Sequence, residues 1–543
     1  MKSRPRSPAL LVLLALVAVT GCRTPGEFDL TDRTRPTPAP VALRAGTGEV
    51  VFTPPLGYPL GGFGGGARRA EWPLYFGMGW PGRASLWWRQ RRNEEGPDRA
   101  SMLVPARGVH DELTARALVL RPAHGPPVAL VRIDAIATTR ELHDLVVEGL
   151  AGLGYQQSTV LLAATHTHSG VGAFHRAPLA RAIGMDNFRP EVEALIASAC
   201  VRAVREAHAA ARPAALGVGR ARDEGPDGPQ VARNRAGLPE DAIDPEVLLL
   251  RVDDLEAGAP MAVVLNYAVH GTVLGQKNLH FSGDVADGIE DALGARLGGV
   301  PVLFLNGAEG DIAPARPDGS GGLERIRALG ERMADLVAPA VAAIETSPAA
   351  RLVTATADLE MGDAHIVFSP ARTRFLDAYR HPASYLLEPL TLPVNAVLWV
   401  AGLTNVRTRL TYGLAPGMVV DLDGLVGRTR TRVGGLRVMT ARDDVAFLCV
   451  PGEATHDVGL SLKAAAAARG ATATFVVGLA LDHIGYVASE AQYVAGRYEA
   501  RLTLFGPETS RRVERALGRI LTALGYPSHV GQADAAAAPA GGS

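Results

Sequence analysis

The sequence has little lysine, little cysteine and few aromatic residues. Lysine occurs at Lys2, Lys277 and Lys463 alone, so nearly every cation is arginine, a bias of genome composition rather than a functional signal. With 55 Lys and Arg against 56 Asp and Glu, the formal net charge is -1, and no global field exists to gather nucleic acid or anionic lipid. Three cysteines exclude a disulfide-dense scaffold, and no CxxC pair marks a zinc ribbon. Cys200 and Cys449 sit in apolar runs (IASACVRAV, VAFLCVPGE) and read as buried small hydrophobes. No Gly-x-Ser-x-Gly elbow is present, which argues against a serine hydrolase. There is no internal repeat. Beyond the first twenty residues no apolar run spans a bilayer: the best stretch, 385–403, is broken by Glu388, Pro389 and Pro393. What remains is a globular composition, 47% hydrophobic and 20% charged, in 543 residues, enough for one large domain or two ordinary ones.

The amino terminus has the layout of an export signal. Residues 2–8 (KSRPRSP) are basic, and 9–19 (ALLVLLALVAV) are apolar but short for a membrane span. Val19-Thr20-Gly21-Cys22 resembles a bacterial lipobox, which implies cleavage after residue 21 and lipidation of Cys22; an ordinary signal peptide with a chance cysteine is the alternative. Arg23 rather than Asp follows, which favours the outer membrane, on its periplasmic or surface face. Residues 22–47 are rich in Pro, Thr and Arg and read as an extended tether, 48–530 as the folded domain, and 531–543 as a low-complexity, disordered tail.

From about Gly48 apolar β-branched runs alternate with Ala/Leu/Arg-rich stretches. The pattern predicts strands at 116–121, 127–133, 159–165, 247–252, 261–267, 301–305, 445–450 and 473–478, and helices at 139–152, 190–211, 284–297, 323–345, 455–469 and 508–524. That alternation predicts an α/β fold, a layered mixed β-sheet flanked by helices in a single large domain. Residues 346–440 have few clear periods and read as a subdomain or an insertion on the same sheet.

Three strand ends carry side chains suited to metal chemistry. Thr165-His166-Thr167-His168-Ser169-Gly170 follows the run 159–164, and if the strand continues, both imidazoles share a face. His-x-His there serves metal binding or a hydrogen-bonded structural pair equally well. His270 ends the run MAVVLNYAV, and Glu453 ends Val450-Pro451-Gly452; a lone strand-end glutamate also suits a helix cap. Catalytic zinc sites combine imidazole and carboxylate and leave a position for water. Tyr486, Tyr493 and Tyr498 cluster in the carboxyl-terminal third, where aromatic packing is the simpler explanation.

Taken in order, these segments resemble the neutral ceramidase family, the neutral/alkaline non-lysosomal enzymes. The matching pieces are Phe52-Thr53-Pro54-Pro55-Leu56-Gly57 with Gly61-Gly62-Phe63-Gly64, the His166 motif, Arg233-Asn234-Arg235, Asp244-Pro245-Glu246-Val247, Asn266 to Gly271, Ser282-Gly283-Asp284, Pro451-Gly452-Glu453, Gly485-Tyr486-Val487, Tyr498-Glu499 and Leu504-Phe505-Gly506-Pro507. The resemblance implies one Zn2+ per chain held by His166, His270, Glu453 and Tyr486. It makes His168 an acid/base residue, places Tyr498 and Arg235 against the scissile carbonyl or its oxyanion, and implies hydrolysis of the amide of an N-acyl sphingoid base. The implied partners are a lipid-like N-acyl amide and, through Cys22, a membrane; nothing in the sequence bears on oligomeric state.

The match departs in two places. Gly310-Asp311-Ile312-Ala313-Pro314 holds Ala313 where the family has an active-site serine, which implies altered substrate choice. The sequence after Pro507 leaves no room for the family's immunoglobulin-like carboxyl-terminal domain, which is expected to be missing. Trp72, Trp80, Trp87 and Trp88, interleaved with Arg83, Arg89, Arg91 and Arg92, suit either a membrane interface or packing over a sheet edge. Two rival readings stand: a metal-free lipoprotein that binds lipid without turnover, and a calcineurin-like metallophosphatase based on Gly283-Asp284-Val285-Ala286-Asp287, whose motif order is wrong here.

Overall fold

The computed structural model describes residues 24–64, 68, 99–225, 228–235, 242–316, 321–368, 392, 393, 396, 407–410 and 418–528. Cys22, the tryptophan-rich stretch 72–92 and the tail 531–543 lie outside the described residues.

Among the described residues the core is a thirteen-stranded mixed sheet. In chain order its strands are β1 (Phe28–Arg33), β2 (Val41–Val51), β3 (Thr114–Pro122), β4 (Val128–Ile133), β5 (Val160–Ala164), β6 (Arg212–Arg222), β7 (Glu246–Asp254), β8 (Ala259–Tyr267), β9 (Val302–Asn306), β10 (Ala349–Glu360), β11 (Arg430–Met439), β12 (Asp444–Cys449) and β13 (Ala473–Val477). The main path runs β9-β8-β7-β6-β2-β10-β11-β12-β13; β2 also pairs with β3, which leads through β4 to β5, and β1 pairs with β10. The pairs β4/β5, β8/β9 and β12/β13 are parallel. Helices α1 (Arg140–Leu150), α2 (Pro190–Ala209), α3 (Val285–Arg296), α4 (Gly322–Ala343), α5 (His456–Ala467) and α6 (Thr509–Ala523) pack on the outer faces.

Successive side chains of a strand point to opposite faces, and here both faces are buried. On β7, Leu248, Leu250 and Val252 join an inner cluster built from strands, while Val247 and Leu249 join the cluster under α3 and α4. On β4, Val128 and Leu130 face inward and Ala129, Val131 and Ile133 face α1 and α2. A third outer cluster lies between β10–β13 and α5 and α6. Double-sided burial is why these strands read as continuous apolar runs. Every strand and helix read from periodicity is present, to within a few residues at each end.

One reading needs correction. The tether does not extend to residue 47: Phe28–Arg33 pairs with β10, and Val41–Val51 is a central strand. Of the two alternatives for 346–440, the shared sheet holds for β10 and β11, which lie in the middle of the main sheet, while among the described residues His365–Phe368, Arg407–Leu410 and Met418–Asp421 form a separate small sheet. Cys200 and Cys449 are free and buried, and burial pushes each thiol up to about 12. Among the described residues, no helix is long and apolar enough to cross a membrane.

Candidate metal centre

Five loops leaving carboxyl ends of strands meet at one place: 165–169 after β5, 268–272 after β8, 307–311 after β9, 450–453 after β12 and 478–486 after β13. Buried amides tie them together. Asn306 Nδ2 donates to the carbonyls of Thr165 (3.0 Å) and Val269 (2.8 Å). Backbone N–H groups of Gly478, Ala164 and His168 reach the carbonyls of Asn306, Leu479 and Gly271. The unpaired edges of separate strands thus become one rigid platform.

His166 and His168 do not meet through the pleat of a strand. β5 stops at Ala164, and His166 takes a left-handed backbone with φ of 65°, a conformation costing about 1–3 kcal/mol in a non-glycine residue. The turn aims its ring at His270 (ring centroids 4.4 Å apart) and brings His168 edge-on at 4.9 Å. Gly62, at φ of 106°, lets the amino-terminal loop close over His168, because a Cβ there would lie 2.6 Å from its Nδ1. Phe63 then covers the imidazole, with ring centroids 4.5 Å apart.

The Nδ1 atoms of His166 and His270 lie 2.6 and 2.8 Å from the carbonyl oxygens of Ile136 and Glu309. A carbonyl only accepts, so both Nδ1 atoms carry the proton and both Nε2 atoms present lone pairs. Those Nε2 atoms are 3.1 Å apart, and Glu453 Oε2 lies 3.3 Å from one and 3.4 Å from the other. Three acceptors facing one another repel unless a cation sits among them. A tetrahedral zinc with bonds of about 2.0–2.1 Å has ligand–ligand edges of about 3.3 Å. The donor set therefore fits such an ion in both chemistry and spacing. Burial pushes His270 down to about 3, helped by Arg235 and His166, so its ring is neutral at neutral pH. Burial opposes the charge on Glu453, but the neighbouring rings of His166, His270 and His483 outweigh it and hold the carboxylate well below its usual range.

His168 Nε2 lies 3.4 Å from His166 Nε2, and it forms a donor group with His166 and His270. Its backbone carbonyl accepts from Arg68, and burial, then the two neighbouring histidines, lower its basicity well below normal. Tyr486 pairs with Glu453 in a short parallel bridge, and its hydroxyl accepts from Arg235 at 2.6 Å. Burial and the charge of Glu453 keep that phenol well above the usual tyrosine range. Arg235 also donates to the Gly310 carbonyl at 2.6 Å and faces Glu499 at 3.4 Å. Although burial works against its charge, Tyr486, Glu453 and Glu499 raise its pKa. Tyr498 is exposed, with its ring 5.3 Å from the Arg235 guanidinium.

His166, His168, His270, Glu453, Tyr486, Arg235 and Tyr498 all line one cavity of about 410 Å³, with Phe63, Ile136, Ile183, Met185 and Leu502 as its apolar wall. A second chamber of about 280 Å³ shares His175, Ala180, Ile183 and His483 with it and continues along Leu179, Val426, Leu504 and Phe505. Ala313 is not on either wall: it sits in a short strand pairing with Arg233. Two groups were not anticipated. His483 Nε2 is 3.6 Å from Glu453 Oε1, and Glu309 is buried beside His166 and Glu453. Burial and the charge of Glu453 push the Glu309 carboxyl well above its usual range. Glu309 follows β9 in the same strand-end setting that marked His166 and Glu453, a signal that was available in the sequence.

Fold and pocket define a mixed α/β protein with a metal-capable donor set at the carboxyl ends of its strands. The family described as neutral/alkaline non-lysosomal ceramidase, N-terminal, matches residues 100–291, which hold His166, His168, Arg235 and His270, so the resemblance read from the motifs holds. Neutral ceramidase B of Dictyostelium discoideum is 27% identical over 202 residues, covering 34% of this chain and 27% of the relative. The neutral ceramidase of Mycobacterium tuberculosis is 29% identical over 191 residues, covering 33% of this chain and 29% of the relative. The matched span is thus under a third of these curated relatives. The crystal structure of neutral ceramidase from Pseudomonas aeruginosa shares the fold with a TM-score of 0.64 at 20% identity, over 90% of this chain and 75% of that one.

Proposed function

We propose that this chain is a zinc-dependent amidohydrolase that cleaves N-acyl sphingosine or a related N-acyl lipid. The observation that carries the reading is the triangle of lone pairs from His166, His270 and Glu453, 3.1–3.4 Å on a side, opening into an apolar-walled cavity. When bound there, a zinc ion supplies Lewis-acid polarisation of a carbonyl and activates water near neutral pH. Tyr486, beside Glu453 and fixed by Arg235, completes the donor set in this reading. The chain's own groups do the rest. Arg235 and Tyr498, which line the cavity, are the donors to the oxyanion in this reading, a contribution often worth about 3 kcal/mol per donor. His168 Nε2 faces the donor set from the cavity side and can carry a proton from water to the leaving amine. The apolar walls of the two adjoining chambers suit an acyl chain. Export and anchoring through a lipidated Cys22 in the outer membrane complete the proposal, supported by the amino-terminal sequence, and would hold the site at a lipid surface.

The test is fatty-acid release from a panel of N-acyl sphingoid bases, N-acyl amino acids and simple esters. Release from the sphingoid amides above the other classes supports the reading. Release from esters alone contradicts it.

A further inference from the structure

Among the described residues, Glu309 is a buried carboxylate that the site as described leaves unexplained. It is 0% exposed, and neither carboxylate oxygen has a hydrogen-bond partner among the described residues. Removing an ionised carboxylate from water without pairing it is among the most costly acts in folding. Its position is nonetheless tightly set. Its backbone carbonyl accepts from His270 Nδ1 at 2.8 Å, so the residue already orients one of the donor imidazoles. Its carboxylate rests against Gly478, where a Cβ would come within 2.7 Å of Oε2. One of its oxygens lies within 4.8 Å of ligand atoms of both His166 and Glu453. It does not line the cavity, so it approaches the donor set from the protein interior.

Charge accounting gives this placement a meaning. As ligands through Nε2, with Nδ1–H directed at a backbone carbonyl, His166 and His270 bring no charge of their own. Arg235 is paired with Glu499, which is also fully buried. Glu453 supplies one negative charge. A divalent cation held by these groups alone leaves one positive charge that the protein does not compensate. A second carboxylate at Glu309 brings the sum to zero, and the same cation satisfies the two oxygens that nothing else meets.

We propose that Glu309 is a second carboxylate of the metal centre, facing the cation from the buried side and fixing its affinity. The inference rests on the metal reading above and adds to it a residue that works from behind the site. Groups that support a metal site in this way typically govern affinity by about 10–100-fold.

The experiment strips the purified chain with a chelator and titrates it with zinc against a chromophoric competitor, in wild type, Glu309→Gln and Glu309→Met. Thermal unfolding of each metal-free protein is recorded in parallel. Both variants should bind zinc at least tenfold more weakly, while their metal-free forms unfold at or above the wild-type temperature, because an unpaired buried carboxylate has been removed. Wild-type affinity in either folded variant overturns the role of Glu309 and leaves the metal reading intact. Failure of the wild type to bind zinc overturns both. If Glu309→Gln does not fold, Glu309→Met, of similar length and without polar atoms, decides the matter by the same titration.

Discussion

Arg132 on β4 is fully buried, and removing its charge should be among the most damaging single changes to this fold. Its guanidinium pairs with Asp134 at 2.5 Å, with Asp287 at 3.2 Å and with both oxygens of Glu290. Arg116 supports Glu290 at 2.8 Å. Asp134 in turn accepts from the Thr114 N–H at 2.8 Å and from the Thr165 hydroxyl at 3.2 Å, so the network holds the base of the loop that carries His166. Arg132→Met leaves these carboxylates buried against an apolar side chain. Breaking a buried pair from one side costs about 3–5 kcal/mol. At about 2 °C per kcal/mol for a large domain, Tm falls by roughly 6–10 °C. Burial already raises Asp287 and Glu290 above their ordinary values, with Asp134 adding to both. A raised carboxylate contributes stability at low pH that is lost as pH rises through the folded pKa. Losing the arginine raises these carboxyls further, so the deficit should be larger at pH 8 than at pH 5. Arg132→Met combined with Glu290→Gln should recover at least about 1 kcal/mol relative to additivity. Thermal unfolding of the four proteins at the two pH values is the assay. A loss under about 1 kcal/mol in the single variant, or strict additivity in the double, refutes the reasoning.

The division of labour around the donor set is also open to test. His168→Ala should keep its zinc and lose about 100-fold or more in turnover, whereas His166→Ala should lose the metal, as read by elemental analysis; equal metal loss makes His168 a ligand. Tyr498→Phe should lower kcat about 100-fold with KM and zinc content nearly unchanged, as measured by steady-state kinetics. His456 Nδ1 lies 2.6 Å from Asp311 Oδ2; although burial opposes both charges, each partner outweighs it, raising His456 above 6.5 and lowering Asp311 below 3.8. The histidine's contribution is present below 6.5 and lost as pH rises through its raised value, while the aspartate's is lost as pH falls below 3.8. The Tm gap between wild type and His456→Gln should therefore be wider at pH 6 than at pH 8.5.

Strands buried on both faces were legible because nothing interrupts their apolar runs, as in 159–165 and 247–252. Several strands that escaped notice carry glycines used for close packing. In β2, a Cβ at Gly46 or Gly48 would lie 2.3 or 2.2 Å from carbonyls of α2, so the glycines let the helix lie directly on the strand. Gly217 and Gly219 of β6 do the same beneath Ile344 and Glu345. Such glycines erase the period that marks a strand and imitate a linker. β1 was hidden differently: FDLTDR is polar and half exposed at an edge, and only its pairing with β10 makes it a strand. For the site, His166, His270 and Glu453 were legible as strand-end residues, but their convergence depends on the crossing of separate arms of the sheet. Glu309 and His483 stayed unassigned for the same reason, since what they do is set by neighbours distant in sequence.

The most direct measurement couples metal content to amide hydrolysis in one preparation. The purified chain is assayed for bound zinc and for fatty-acid release from N-acyl sphingosine, then again after chelation and after zinc is returned. The account predicts about one zinc per chain, loss of hydrolysis with the metal, and recovery when it is restored. Hydrolysis that survives complete removal of the metal, or a chain that binds zinc and releases no fatty acid, contradicts it.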